Sequence, residues 1–140
     1  MKFTIDNLDY ASALDSQHPP RIVRRLNRPT ELRAFLHAAH TQFVVPAQGA
    51  RVLLTRNNGS SVFTGYVIAA PEYEYLGWSE RGPVYRYVLR CGSDEALTAT
   101  KTLPARADFV QRSAGEIVAK LANDALPGVF DTSGCEDVAV

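Results

Sequence analysis

The chain has 140 residues, 46% of them hydrophobic and 21% charged, a length that suits one sizeable core and a composition too apolar for a disordered chain. Its 15 basic residues balance 15 acidic ones, so the whole molecule carries no electrostatic footprint for nucleic acid or an anionic membrane. The opening MKFTIDNLDYASALDS lacks the apolar centre of a signal peptide, and no later stretch approaches a membrane span, so the expected site of synthesis is the cytoplasm, with no membrane partner.

Lys2 to Ile5 alternates and is predicted to form a short strand, followed by a turn through the small and polar residues from Asn7 to Asp15. His18-Pro19-Pro20 enforces extended backbone, because each proline pushes its predecessor away from helical angles. Ile22 to Leu26 is the predicted second strand. From Pro29 to His40 two periods compete. Leu32, Phe35, Leu36 and Ala39 fit a helical stripe, with Pro29 and Thr30 suited to a helix start, whereas a period of two puts Leu32, Ala34 and Leu36 on one side. Taken alone, the segment leans to helix.

Phe43 to Val45, Arg51 to Thr55 and Ser61 to Ala69 are β-branched or aromatic runs, predicted as strands. Asn57-Asn58-Gly59 joins the last two, and Asn58-Gly59 suits the positive φ angles of a tight hairpin turn. Pro71 to Gly82, rich in Glu, Tyr, Gly and Ser and containing Trp78, reads as a long exposed connection. Val84 to Cys91 reads as a long strand with Tyr85, Tyr87 and Leu89 on one face and Val84, Arg86, Val88 and Arg90 on the other. Pro104 closes the strand region. Ser113 and Glu116 then form a capping box ahead of Ile117, Val118, Leu121 and Ala122 at helical spacing, and Pro127-Gly128 stops that helix. The expected organisation is a β domain over 1–104, followed over 105–140 by a linking helix and the start of a further domain or a loose tail.

Few residues offer chemistry. There is no nucleophile elbow, phosphate-binding glycine loop or zinc-protease motif, and the expectation is a non-enzyme without metal or cofactor. His37 and His40 would share a face of a helix but lack a third ligand at a matching spacing. Glu72 with Glu74, and Asp94 with Glu95, are paired carboxylates of the type used in acid/base hydrolysis, but solvated surface charge is much the better reading of them. Cys91 and Cys135 sit in unlike contexts and read as free thiols. Asn58-Gly59-Ser60 matches a glycosylation acceptor, but without a secretory signal it reads as a turn.

Two clusters remain. RIVRRLNRPTELR concentrates Arg21, Arg24, Arg25, Arg28 and Arg33, whose guanidinium forks suit carboxylate or phosphate partners. It has none of the interleaved aromatics that stack on bases, so a polar strand face or an inter-subunit salt-bridge surface is preferred over nucleic acid. The second holds Tyr73, Tyr75, Trp78 and Arg81, residue types enriched at protein interfaces. Candidate contact residues are therefore Arg21, Arg24, Arg25, Arg28, Tyr73, Tyr75, Trp78 and Arg81. The same rings could instead stack on sugars, which makes a carbohydrate-binding β module the alternative.

The run VLLTRNNGSSVFTGYVIAAPEYEY followed by GPVYRYVLRCGSDEALTA resembles the first domain of baseplate hub proteins in Mu-like phage tails. The matching positions are Phe63, Gly65 and Val67 in a Phe-x-Gly-x-Val pattern, then Tyr87, Ser93 and Asp94. FTIDNLDYASALDS with RIVRRLNRPTELRAF is similar to that family's opening strand, turn and second strand, and SAGEIVAKLANDAL to the helix leading into its next domain. The resemblance implies a mainly β fold, a small closed or partly open Greek-key barrel of about six strands with a C-terminal α-helix, related to domains of type VI secretion spike proteins. It also implies that Leu32 to Leu36 is strand. The function it implies is structural assembly in a phage tail or related contractile injection apparatus, as a trimer or ring contacting other tail proteins.

Overall fold

Alternation of apolar and polar side chains shapes the chain as far as Ser93. A computed structural model describes residues 1–39, 43–100, 103, 105 and 108–135, with backbone alone at 98–100. The chain divides into a first unit, Met1–Ala96, and a second, Leu97–Val140.

In the first unit β1 (Lys2–Ile5) turns Phe3 and Ile5 into the core and pairs with β2 (Leu8–Asp9). Asp6 and Asn7 both adopt positive φ, 47° and 66°, the left-handed pair that a two-residue hairpin turn requires and that Asp and Asn tolerate best among non-glycine residues. β3 (Arg21–Arg25) and β4 (Arg28–Ala38) form the next hairpin, with Asn27 at φ 56° in its turn.

The helical leaning for Pro29 to His40 is thus overturned. Leu32, Ala34, Leu36 and Ala38 all point inward, and the period of two wins because β4 finds ladder partners on both sides, β3 and β8. β5 (Arg51–Thr55) and β6 (Ser61–Val67) pair as expected. In their turn only Gly59 has positive φ, at 82°, and Asn58 does not. Asn58 instead accepts hydrogen bonds through Oδ1 from the Ser60 amide and hydroxyl, and the register shifts after Leu54, as in a longer turn closed by a glycine bulge. Phe43 to Val45, predicted as strand, forms none. The Phe43 ring stacks on Tyr87 at 5.4 Å, and the Val44 carbonyl accepts from the Tyr10 hydroxyl.

The largest correction concerns Pro71 to Gly82, expected as an exposed connection. It contains β7 (Glu72–Ser79), paired with β8 (Gly82–Ser93) through a tight turn. The alternation Glu72-Tyr73-Glu74-Tyr75 is a strand pattern whose polar composition disguised it. β8 is longer than the predicted Val84–Cys91 and keeps the predicted faces, with Tyr85, Tyr87 and Leu89 opposite Ala38, Leu36 and Ala34 of β4.

Eight antiparallel strands, against about six expected, make one sheet in the order β2-β1-β5-β6-β8-β4-β3, with β7 also on β8. The sheet is not closed. Phe3 of β1 and Leu32 and Leu36 of β4 nevertheless share one hydrophobic cluster with Val52, Leu54, Phe63, Val67, Leu89 and Cys91, so the sheet curls until its two sides face the same core. The gap is crossed by the segment after β2. Tyr10 donates its amide to Phe3 of β1, a short 3-10 turn follows at Ala11–Ala13, and Leu14 bridges Leu36 while the Asp15 amide donates to Phe35 of β4.

Gly65 sits where β6 and β8 leave no space for a side chain. A Cβ there would lie 2.1 Å from the Gly92 carbonyl oxygen and 2.9 Å from the tip of Phe63, which gives the glycine of the Phe63-x-Gly65-x-Val67 pattern a steric reason.

A 3-10 segment, Asp94–Thr100, follows β8. Pro104 lies outside the described residues. The helix α1 (Ala114–Ala125) has the predicted capping box, with Ser113 Oγ accepting from the Glu116 amide at 3.1 Å and Glu116 accepting from the Ser113 amide at 3.2 Å. Gly128, at φ 72°, follows its end.

Candidate interaction surface

β6 and β7 run one after the other along the same side of β8. Val67 faces Cys91 and Glu72 faces Val88. β5 pairs with β6 but not with β7, so β7 and the first half of β8 extend past the core as an arm backed by β4.

The core-side face of this arm is aromatic. Tyr73 lies opposite Tyr87, Tyr75 opposite Tyr85 and Trp78 opposite Pro83, and the rings touch edge-on or tilted at 5.5–6.4 Å between centroids. Strict alternation would send Trp78 to the other face from Tyr75. A bulge between Tyr75 and Gly77, with Gly77 at φ 129°, adds the residue that brings the indole back. Tyr73, Tyr75 and Trp78 are 70%, 56% and 75% exposed. At the tip, the Arg81 amide donates to Ser79 Oγ at 3.3 Å. Tyr87, deeper in the stack, has its hydroxyl pKa raised by burial and by the neighbouring Tyr85 and Tyr73.

The opposite face of the arm is ionic. Glu74 accepts from Arg86 at 2.6 Å and Glu72 pairs with Arg90 at 3.1 Å. These carboxylates, expected in a loop, are alternate residues of one strand, each held by its own arginine. Asp94 accepts from both Arg51 and the Thr64 hydroxyl. Burial lowers the Arg51 pKa, but Asp94 and Tyr66 outweigh it and leave it raised.

The predicted arginine cluster lies on one hairpin, but its members meet different partners. Arg21 and Arg25 line a shallow hollow over β3, β4 and β8, together with Glu31, Arg33 and Arg90. Arg25 is paired with Glu31 at 3.2 Å, whereas Arg24 donates to the Val62 carbonyl and Arg28 opens β4, exposed beside the turn. Arg21, Arg24, Arg25 and Arg28 therefore belong to the β3–β4 hairpin, and Tyr73, Tyr75, Trp78 and Arg81 to the arm, as two surfaces.

Sequence reading missed Asp15. Its carboxylate is almost fully buried, accepts from His18 Nδ1 at 2.7 Å and from the Gln17 amide, and lies 3.3 Å from His37 Nε2. Burial alone would raise its pKa, but these hydrogen bonds and the two histidines hold it below the usual aspartate value. The Asp15-x-x-His18 spacing was the available signal. His37 thus sits on a strand rather than a helix, and its proposed companion His40 lies outside the described residues.

Cys91 is buried, with its thiol pushed up to about 12 by burial, and Cys135 is partly exposed; both are free. Among the described residues, no group of three His, Cys, Asp or Glu is placed to hold a metal ion, and no helix is long and apolar enough to cross a membrane. No protein-family model, curated protein or solved structure matches this chain.

Proposed function

We propose that the chain is a structural assembly domain of a phage tail baseplate hub or related contractile injection apparatus, binding copies of itself or neighbouring tail proteins without catalysing a reaction. The observation that carries this reading is the exposed aromatic strip Tyr73, Tyr75 and Trp78, held in line by a bulge. Aromatic side chains bring large contact area at low entropic cost and anchor many interfaces. In this reading the curled sheet is a distorted small Greek-key barrel, and trimers or rings of it join other tail proteins. The sugar-binding alternative needs polar side chains beside the rings to recognise hydroxyl groups. On the arm, Glu72 and Glu74 lie on the other face in ion pairs with Arg90 and Arg86.

The test uses the single tryptophan of the chain. Light scattering and acrylamide quenching are followed against protein concentration, alone and with candidate tail proteins. The expected result is a larger species with a shielded, blue-shifted Trp78, the larger species being lost by scattering in Tyr75→Ser/Trp78→Ser. A monomer whose Trp78 stays fully quenchable with every partner overturns the reading, and glycan binding lost in Trp78→Ala replaces it with the carbohydrate module.

A further inference from the structure

The strand register brings Arg21, Arg33 and Arg90 into one row. Arg21 of β3 faces Arg33 of β4, and Arg33 faces Arg90 of β8, so three arginines are cross-strand neighbours on the outer face, their backbones at the strand spacing of about 4.8 Å. Like charges directly opposite each other destabilise a sheet. Compensation here is partial. Arg90 is paired with Glu72 and Arg25 with Glu31, while Arg33 lies over the Phe35 ring at 5.0 Å. Among the described residues neither Arg21 nor Arg33 has a carboxylate partner. All three row members line one hollow, together with Val23 and Ile68.

We infer that this row is a binding site for a small phosphoanion. The uncompensated charge is two, carried by adjacent planar forks. A carboxylate offers one charge and two oxygens in a plane, whereas a phosphate group offers up to about two charges and three acceptor oxygens that neighbouring forks can share. The row stands apart from the aromatic strip and does not depend on its role.

Inorganic pyrophosphate, titrated into the full chain at constant ionic strength made up with chloride, is the probe, read by calorimetry and backbone amide shifts. Saturable binding is expected, with shifts confined to the strands around Arg21, Arg33 and Arg90. Arg33→Gln, and independently Arg21→Gln, should weaken it by about tenfold or more, as expected for loss of a charge-assisted hydrogen bond. Arg28→Gln, in the same hairpin but outside the row, should leave it within about twofold, as expected for an exposed charge. Unchanged amide shifts elsewhere certify that each variant is folded. Non-saturable binding, equal loss in Arg28→Gln, or an equal response to malonate overturns the site. Affinity for single-stranded oligonucleotides that climbs with length and exceeds that for pyrophosphate overturns the small-anion assignment.

Discussion

Tyr75 and Trp78 are three positions apart on β7, yet their backbone partners, Tyr85 and Pro83, place both rings on one face of the arm. The extra residue between them is what permits this. Deleting Leu76 should remove the bulge and restore regular pairing, leaving Trp78 two positions from Tyr75 and so still opposite Pro83 on the same face. The expected outcome is retained tryptophan emission and self-association, with stability within about 1 kcal/mol as for other edge-strand changes, checked by fluorescence, light scattering and urea denaturation.

Gly65 leaves no room for a methyl group, because the nearest atom belongs to the Gly92 backbone rather than to a movable side chain. Gly65→Ala should therefore force β6 from β8 and destabilise the first unit by about 1–3 kcal/mol, the usual range for overpacking. The urea midpoint reads this directly. An unchanged midpoint would mean the strands part without cost.

Asp15 has a folded pKa below its ordinary value, so its contribution to stability is complete above the unfolded aspartate pKa of about 3.9 and is lost as pH falls through the lower folded value. Denaturant midpoints measured down this acid range should fall less steeply for Asp15→Asn than for the unaltered chain. The variant should also be less stable at neutral pH, where the charged form is the one that His18 and the Gln17 amide bind.

The two thiols should react very unequally. Burial pushes the Cys91 thiol up to about 12 from an ordinary 9.0, lowering its thiolate fraction at neutral pH by roughly a thousandfold, and the thiolate is the reactive form. Iodoacetamide should modify Cys135 in the folded protein and reach Cys91 only after denaturation, as followed by mass spectrometry.

Local pattern was enough for β1, β5, β6, the alternating faces of β8 and the capped helix, since each declares itself within a few residues. β4 was ambiguous because Leu32 and Leu36 satisfy both periods, and only the ladders on its two sides decide between them. β7 was lost because its glutamates and exposed tyrosines look like loop composition, although they alternate. Of the candidate contacts, Tyr73, Tyr75 and Trp78 were visible as residue types, but their common face depends on a bulge that no spacing rule reveals. The row of Arg21, Arg33 and Arg90 was invisible for a different reason. Arg90 is far from the others in sequence, and only pairing of β4 with β8 sets it beside them.

The crossing from Tyr10 to Asp15 differs in kind from every other junction around the sheet. Elsewhere neighbouring strands are zipped by successive rungs, whereas here a few backbone bonds and one buried carboxylate fasten the two margins. A structure opens first where the fewest interactions hold it. The first unit is thus fastened most thinly at that clasp, the point where opening is expected before the rest of its weave loosens.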